Sequence, residues 1–246
     1  MNGAAETMRG LVLVLWTYGL MAVMGLALAP VAALGPRLWT RRIVRLYCRI
    51  VLASARPICG LRSEIRGEVP QGAVIVAAKH QSFLDIIMLV SVLERPRFVM
   101  KRSLLWAPVL GFYARRIGCI AIDREKGREA MREMLEAKAA ERELDGQLVI
   151  YPQGTRVTPG VAAPWRPGVS VLYAAAEEPC VPVATNAGVF WPRKGVARRP
   201  GTAVLEFLPA IPAGLGGATL LARLRGEVEA ASDALLEEAR RAGRAF

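Results

Sequence analysis

The chain contains a single histidine, His80, in Lys79-His80-Gln81-Ser82-Phe83-Leu84-Asp85, directly after the apolar run Ala73 to Ala78. A neutral imidazole can accept a proton from a hydroxyl, and a carboxylate on its other nitrogen fixes the tautomer and steadies the imidazolium. His80 and Asp85 thus have the residue types of a base and its orienting partner. A structural role competes for Asp85. Ser82 followed three residues later by an acid is the pattern of a capping box, and a carboxylate in a first turn also suits the helix dipole. A second stretch, Tyr151-Pro152-Gln153-Gly154-Thr155-Arg156, follows another apolar run. Gly154 permits a tight turn with exposed amides, Thr155 adds a hydroxyl, and Arg156 can grip a phosphate through two parallel hydrogen bonds. Taken alone it is also the pattern of an ordinary turn carrying an arginine. A third stretch, Gly118 to Arg124, ends an apolar run on a basic residue, and Lys101 follows the run around Phe98. Val181-Pro182-Val183 could shape a pocket wall without supplying reactive atoms. One base and several cations form the inventory for activating an alcohol beside a phosphate.

Other chemistries lack their signals. Cys48, Cys59, Cys119 and Cys180 are far apart and without a CxxC, so with one histidine a zinc site of the usual type cannot be assembled. They read as four buried or lipid-facing thiols, and fit a reducing compartment. No G-x-S-x-G elbow, Walker loop or G-x-G-x-x-G fingerprint occurs.

The elements that must hold these residues alternate. Short apolar runs predict strands at Ala73 to Ala78, Arg97 to Met100, Cys119 to Ile122, Gln147 to Tyr151, Val181 to Thr185 and Ala203 to Leu208. Helical periodicity predicts helices from Phe83 to Leu93, through about Ile117 with interruptions at Pro108 and Gly111, from Lys126 to Leu144, from Gly168 to Ala176, and within Leu220 to Arg241. Such alternation indicates an α/β domain with a mixed, largely parallel sheet, in which ligands collect at the carboxyl ends of strands.

Before that domain, Leu11 to Leu34 holds 24 residues without a charge. As a helix this run would be about 36 Å long, more than the roughly 30 Å hydrocarbon core of a bilayer. It either spans the membrane or bends at Gly25 and Pro30 into one leaflet. Ala27-Leu28-Ala29 resembles a signal cleavage site, but the run is too long for the usual signal core and Pro30 would follow the cut. From Arg37 to Pro57, Ile43, Leu46, Tyr47 and Ile50 keep helical spacing while Arg41, Arg45 and Arg49 recur every four residues. This predicts an interfacial amphipathic helix with arginines toward lipid phosphates, in competition with an ordinary solvated cationic face. The chain carries a net charge of +12, and eight arginines against one glutamate precede residue 63. Positive charge after the apolar run places the domain that follows on the cytoplasmic side of the membrane. The expected division is residues 1–62 as membrane-anchoring helices and residues 63–246 as the catalytic domain. A nucleic-acid-binding protein is the competing reading of the charge. Against it, the arginines adjoin an apolar run, and neither a zinc-finger nor an RNA-recognition signature is present.

The spaced motifs together resemble the 1-acyl-sn-glycerol-3-phosphate acyltransferase family. His80 to Asp85 is similar to its H-x4-D block, and Lys101 to Arg124, with Pro108, Gly111 and Gly118, to its second. Tyr151 to Arg156 is similar to its F-P-E-G-T-R block and Val181 to Val183 to its fourth. The resemblance implies a glycerolipid-acyltransferase-like fold, and transfer of a fatty acyl group from acyl-CoA or acyl-carrier protein to the free hydroxyl of a lysophospholipid. It implies His80 as general base and Asp85 as its partner, with Lys101, Arg124, Gly154, Thr155 and Arg156 on the acceptor phosphate. Neither metal nor bound cofactor is expected; the partners are anionic membrane lipids, the lysolipid and the acyl donor. Phosphatidic acid is the leading product, with a lyso-ornithine lipid or lysophosphatidylglycerol as other acceptors. With no activated serine or cysteine in these blocks, the hydroxyl is expected to attack the thioester directly. Two positions depart from the family pattern. Gln153 stands where Glu is usual, removing a charge but keeping an oxygen for a glycerol or acceptor contact. Lys79 stands where Asn is common, and is a cation either beside the base or for the donor's phosphates.

Overall fold

The computed structural model describes residues 3–140 and 146–243. The chain begins with three helices, α1 (Gly3–Ala27), α2 (Ala29–Leu34) and α3 (Arg37–Cys59). There follow β1 (Leu61–Arg66), β2 (Val74–Ala78), α4 (Phe83–Val92), β3 (Arg97–Lys101), α5 (Pro108–Ile117) and β4 (Ile120–Ile122). Then come α6 (Arg128–Ala140), β5 (Gln147–Ile150), α7 (Gly168–Ala176), β6 (Cys180–Thr185), α8 (Ala187–Phe190), β7 (Gly201–Phe207) and α9 (Gly217–Arg241). Short 3-10 turns occupy Arg102–Trp106 and Arg124–Lys126.

The seven strands form one sheet in the order β1-β7-β6-β2-β5-β3-β4. From β6 to β4 every pairing is parallel; β7 runs antiparallel to β6, and β1 runs parallel to β7. The expected mixed, largely parallel sheet is therefore present. Its parallel strands read as unbroken apolar runs because helices cover both faces, as all five residues of β2 being buried illustrates. Side chains of a strand alternate between faces. Val74, Val76 and Ala78 meet Leu84, Ile87 and Met88 of α4 on one face, with α3 behind it. Ile75 and Ala77 meet Leu172 and Tyr173 of α7 and Leu220 and Leu224 of α9 on the other. Apolar almost all round, α4 is buried between α3 and the sheet.

Several expectations need correction. Gly111 does not interrupt a helix. Pro108 opens α5, where a missing N–H costs nothing, and Gly111 lies inside it because a Cβ there would sit 2.1 Å from the Leu105 carbonyl oxygen. The helix expected from Lys126 begins at Arg128, after the 3-10 turn, and its last expected residues, 141–144, lie outside the described residues. The uncharged run breaks next to Pro30, as one of its two readings had it, with the chain turning at Leu28 and Pro30 in the first turn of α2, but Gly25 lies inside α1 and makes no bend. Nor do the arginines of α3 simply line a lipid-facing stripe. Arg45 donates to the carbonyls of Leu93 and Glu94, and Arg49 donates to the carbonyl of Ser91 at 3.2 Å. Arg49 thus satisfies an orphan carbonyl in the last turn of α4, and Arg45 satisfies the carbonyls of the two residues that follow the helix.

Candidate active site

The carboxyl ends of the five parallel strands share one edge of the sheet, and β2 leaves it at Lys79-His80. By alternation His80 continues the face of Val76 and Ala78, toward α4. Its Nδ1 lies 2.9 Å from Asp85 Oδ1. The other oxygen, Oδ2, accepts the backbone N–H of Gln81 at 2.8 Å and of Ser82 at 2.7 Å. Ser82 Oγ in turn accepts the N–H of Leu84 at 3.0 Å and donates to the Trp191 carbonyl at 2.6 Å. The two competing readings of Asp85 are thus both realised: it closes the capping box of α4 with one oxygen and holds the imidazole with the other. A carboxylate on Nδ1 fixes the tautomer that leaves Nε2 as the nitrogen able to take a proton. The His80 side chain is 14% exposed, whereas Asp85 is fully buried.

Tyr151, named above only as a motif position, is also part of this cluster. Its hydroxyl lies 3.2 Å from Asp85 Oδ1, and its ring stacks on His80 with centroids 3.9 Å apart and planes at 19°. Burial raises the phenol well above its usual range, and the neighbouring Asp85 carboxylate raises it further. Tyr151 therefore stays protonated and donates. Its place at the end of β5, on the face shared with Val149, was the available signal.

The turn after β5 is tied to the same strand end, because the Val157 N–H donates to the His80 carbonyl at 2.8 Å. Gly154 adopts the left-handed conformation that glycine tolerates (φ +68°), and its N–H bonds the Tyr151 carbonyl at 2.9 Å. Thr155 is exposed and Arg156 half-buried. Lys101 is exposed at the end of β3, one strand beyond β5, and has no hydrogen-bond or ion-pair partner among the described residues. The backbone of Arg124 follows β4 at the same edge, while its side chain lies outside the described residues. Five expected residues, His80, Asp85, Gly154, Thr155 and Arg156, are thus gathered at neighbouring strand ends. Lys101 and Arg124 share the edge at a greater distance.

Gln153 and Lys79 turn elsewhere. Gln153 is buried; its Nε2 donates to Glu229 Oε1 at 3.1 Å, while its Oε1 is buried without a hydrogen-bond partner among the described residues. Lys79 continues the opposite face of β2, and its Nζ meets Glu229 Oε2 at 2.5 Å. It contacts neither the base nor solvent.

On that opposite face, a cavity of about 700 Å³ lies between α6, α7 and the sheet. Its walls include Val99, Ile122, Met131, Met134, Leu135 and Ile150, and it reaches the strand-end site only at Tyr151, Pro152 and Gly154. Neither Ser82 nor Cys180 is a poised nucleophile. Ser82 Oγ is committed to the cap and to Trp191, and burial pushes the Cys180 thiol up to about 12.

The family model described as Acyltransferase matches residues 61–186. A 1-acyl-sn-glycerol-3-phosphate acyltransferase of Pseudomonas aeruginosa is 31% identical over 192 residues, covering 77% of this chain and 75% of that protein. The mouse 1-acyl-sn-glycerol-3-phosphate acyltransferase alpha is 30% identical over 169 residues, covering 66% of this chain and 59% of that protein. Among solved structures, the 1-acyl-sn-glycerophosphate (LPA) acyltransferase of Thermotoga maritima matches with a TM-score of 0.75 at 19% identity, covering 94% of this chain and 97% of that one.

Proposed function

The chain belongs to the 1-acyl-sn-glycerol-3-phosphate acyltransferase family, and from that premise we propose that it acylates the sn-2 hydroxyl of 1-acyl-sn-glycerol-3-phosphate, giving phosphatidic acid. The observation that carries the proposal is the His80–Asp85 pair, held by a capping box at a strand end and backed by Tyr151. His80 Nε2 takes the proton of the acceptor hydroxyl as its oxygen attacks the thioester carbon. Asp85 steadies the imidazolium. As the tetrahedral adduct collapses, the C–S bond breaks, and the proton passes from His80 to the departing thiolate of coenzyme A or the acyl-carrier protein. Transfer is direct, in keeping with the commitments of Ser82 and Cys180 described above.

Gly154, Thr155 and Arg156 hold the acceptor phosphate, joined by Lys101 and Arg124 along the sheet edge. The apolar cavity beside Tyr151 and Gly154 has a size usual for ligand pockets, about 300–1,000 Å³. It takes a fatty chain. Residues 63–246 carry this chemistry, and α1–α3 hold them at the membrane with the site on the cytoplasmic side. Gly10 and Gly25, near the two ends of α1, both pack on the α/β domain: an added Cβ would lie 1.9 Å from the Val196 carbonyl oxygen and 2.3 Å from Val109 Cγ1. A helix held along the domain at both ends lies in one leaflet instead of crossing.

The test is acyl transfer by membranes containing the full chain, offered lysophosphatidic acid and other lysolipids with acyl-CoA or acyl-carrier protein. Phosphatidic acid should form, and His80→Ala should abolish its formation while the protein stays folded and membrane-bound. Full turnover by His80→Ala would remove the general base, since no other histidine exists to replace it. Turnover only with lysophosphatidylglycerol or a lyso-ornithine lipid would reassign the acceptor.

A further inference from the structure

Two positions at which this chain departs from its family's motifs, Lys79 and Gln153, meet on one residue of the C-terminal helix. Glu229 of α9 takes Lys79 Nζ on Oε2 at 2.5 Å. On Oε1 it takes Gln153 Nε2 at 3.1 Å and Trp165 Nε1 at 2.9 Å. Lys79 is 3% exposed, so its ammonium has given up water, and Glu229 is its only charged partner among the described residues. An unpaired charge in that position would be strongly destabilising.

Four segments are joined by this one carboxylate: the exit of β2, the turn after β5, the approach to α7, and α9. The joined backbone is that of the site. Lys79 precedes His80, and Gln153 precedes the Gly154–Arg156 turn. The geometry also explains why the two departures occur together. A glutamate at 153, as in the family's third block, would bring a second carboxylate to the atom that Gln153 Nε2 now touches. Two carboxylates so close cannot both ionise freely. With Glu229 present, an amide at 153 donates where a carboxylate would repel.

We propose that Glu229 is a positioning residue for acyl transfer, carrying on α9 the counter-charge that the motif position 153 lacks, and thereby fixing His80 and the Gly154–Arg156 turn. This rests on the acyltransferase function proposed above for the same site. Glu229 itself touches no reacting atom; it acts through Lys79 and Gln153.

The test moves the charge back. Glu229→Gln and Gln153→Glu are each made alone and then combined, in the full chain in detergent. Each single variant should lose about tenfold or more in kcat/KM, chiefly as a raised KM for lysophosphatidic acid because the phosphate turn is displaced. The double variant, with one carboxylate again facing Lys79, should recover to within about threefold of the parent. Because His80 is the sole histidine, its imidazole NMR resonance reports the site without any substrate. It should move in Glu229→Gln and return in the double variant. A double variant no better than the worse single one, a Gln153→Glu variant as active as the parent, or a His80 resonance unmoved in Glu229→Gln would each overturn the proposal. If Glu229→Gln does not fold, Glu229→Asp keeps the charge and shortens the reach by one methylene. It should raise KM and move the resonance, and no change in either would be equally fatal. A parent chain that acylates no lysolipid would defeat the proposed function instead, and the resonance would still decide whether Glu229 positions His80.

Discussion

Asp85 receives hydrogen bonds from four groups: His80 Nδ1, the amides of Gln81 and Ser82, and the Tyr151 hydroxyl. Removing it should therefore do two separable things. Asp85→Ala leaves buried donors without an acceptor, at about 1–3 kcal/mol for each group left unsatisfied, and should lower the unfolding midpoint in denaturant measurably. Asp85→Asn keeps the shape but replaces one accepting oxygen with an NH₂. It should fold with a smaller loss while kcat falls by about 10²–10⁴, the range a positioned general base contributes. Asn activity close to that of the parent would mean that Asp85 serves only as a cap. Tyr151→Phe keeps the stack on His80 and removes one donor to Asp85, so its loss in kcat should be far smaller than that of Asp85→Asn. The pair His80 and Asp85 was legible because a base at a strand exit and an acid in the next helix's first turn are close in sequence. The role of Glu229 was not legible. It stands 150 residues from Lys79, on a surface helix whose pattern gives no reason to single out one glutamate.

At the scale of elements, the central strands could be read from apolar runs, whereas β1 could not. Leu-Arg-Ser-Glu-Ile-Arg buries only Leu61 fully, and as an edge strand it borrows its conformation from β7. A bidentate pair also ties it down, Arg66 NH1 and NH2 to Glu238 of α9, both at 2.7 Å. The hydrogen bond from Arg66 holds the Glu238 carboxyl below the ordinary glutamate range. A carboxyl depressed on folding stabilises the fold above its unfolded pKa and loses that contribution as pH falls through the folded value. Both side chains keep contact with water, Arg66 half-buried and Glu238 exposed, so the pair is worth about 0.2–1 kcal/mol. Glu238→Gln should lower the melting temperature slightly at pH 7, and the gap to the parent should begin to narrow as pH falls below about 4.3 and close below the depressed folded value. A gap that does not narrow as pH falls would assign the loss to packing instead. The cavity between α6 and α7 offers a second element-scale prediction. Met131 lines it, and Met131→Trp should shift acyl preference to shorter chains, read from product chain length with mixed donors. An unchanged product distribution would place the fatty chain elsewhere.

For the molecule as a whole, the excess of positive charge divides differently from its sequence pattern. Arg49 caps α4, Arg45 bonds the carbonyls just beyond it, and Arg116 donates to the carbonyls of Ala32 and Gly35 at 2.8 Å, closing the end of α2. Periodicity could show that arginines share a helix face but not that another helix ends there. Arg37, Arg42, Arg56 and Arg62 remain exposed, and so do apolar side chains of α1, Leu11, Leu15, Trp16 and Leu26 among them. The buried stripe of α1, Gly10, Leu13, Thr17 and Gly25, faces the domain. Its length and apolarity suit a membrane-spanning helix, but its contacts at both ends hold it along the protein. These alternatives differ in where the start of α1 lies. Cysteines introduced at Ala4 and at Ser63, both exposed, should react alike with an impermeant maleimide in vesicles displaying the cytoplasmic face, above the labelling of the unmodified chain. A crossing helix would leave Ala4→Cys unlabelled until the vesicles were opened, with Ser63→Cys labelled throughout. Gly10→Val, which forces a branched side chain against the Val196 carbonyl, should then loosen α1 and weaken retention of the protein on the membrane without altering the His80–Asp85 pair.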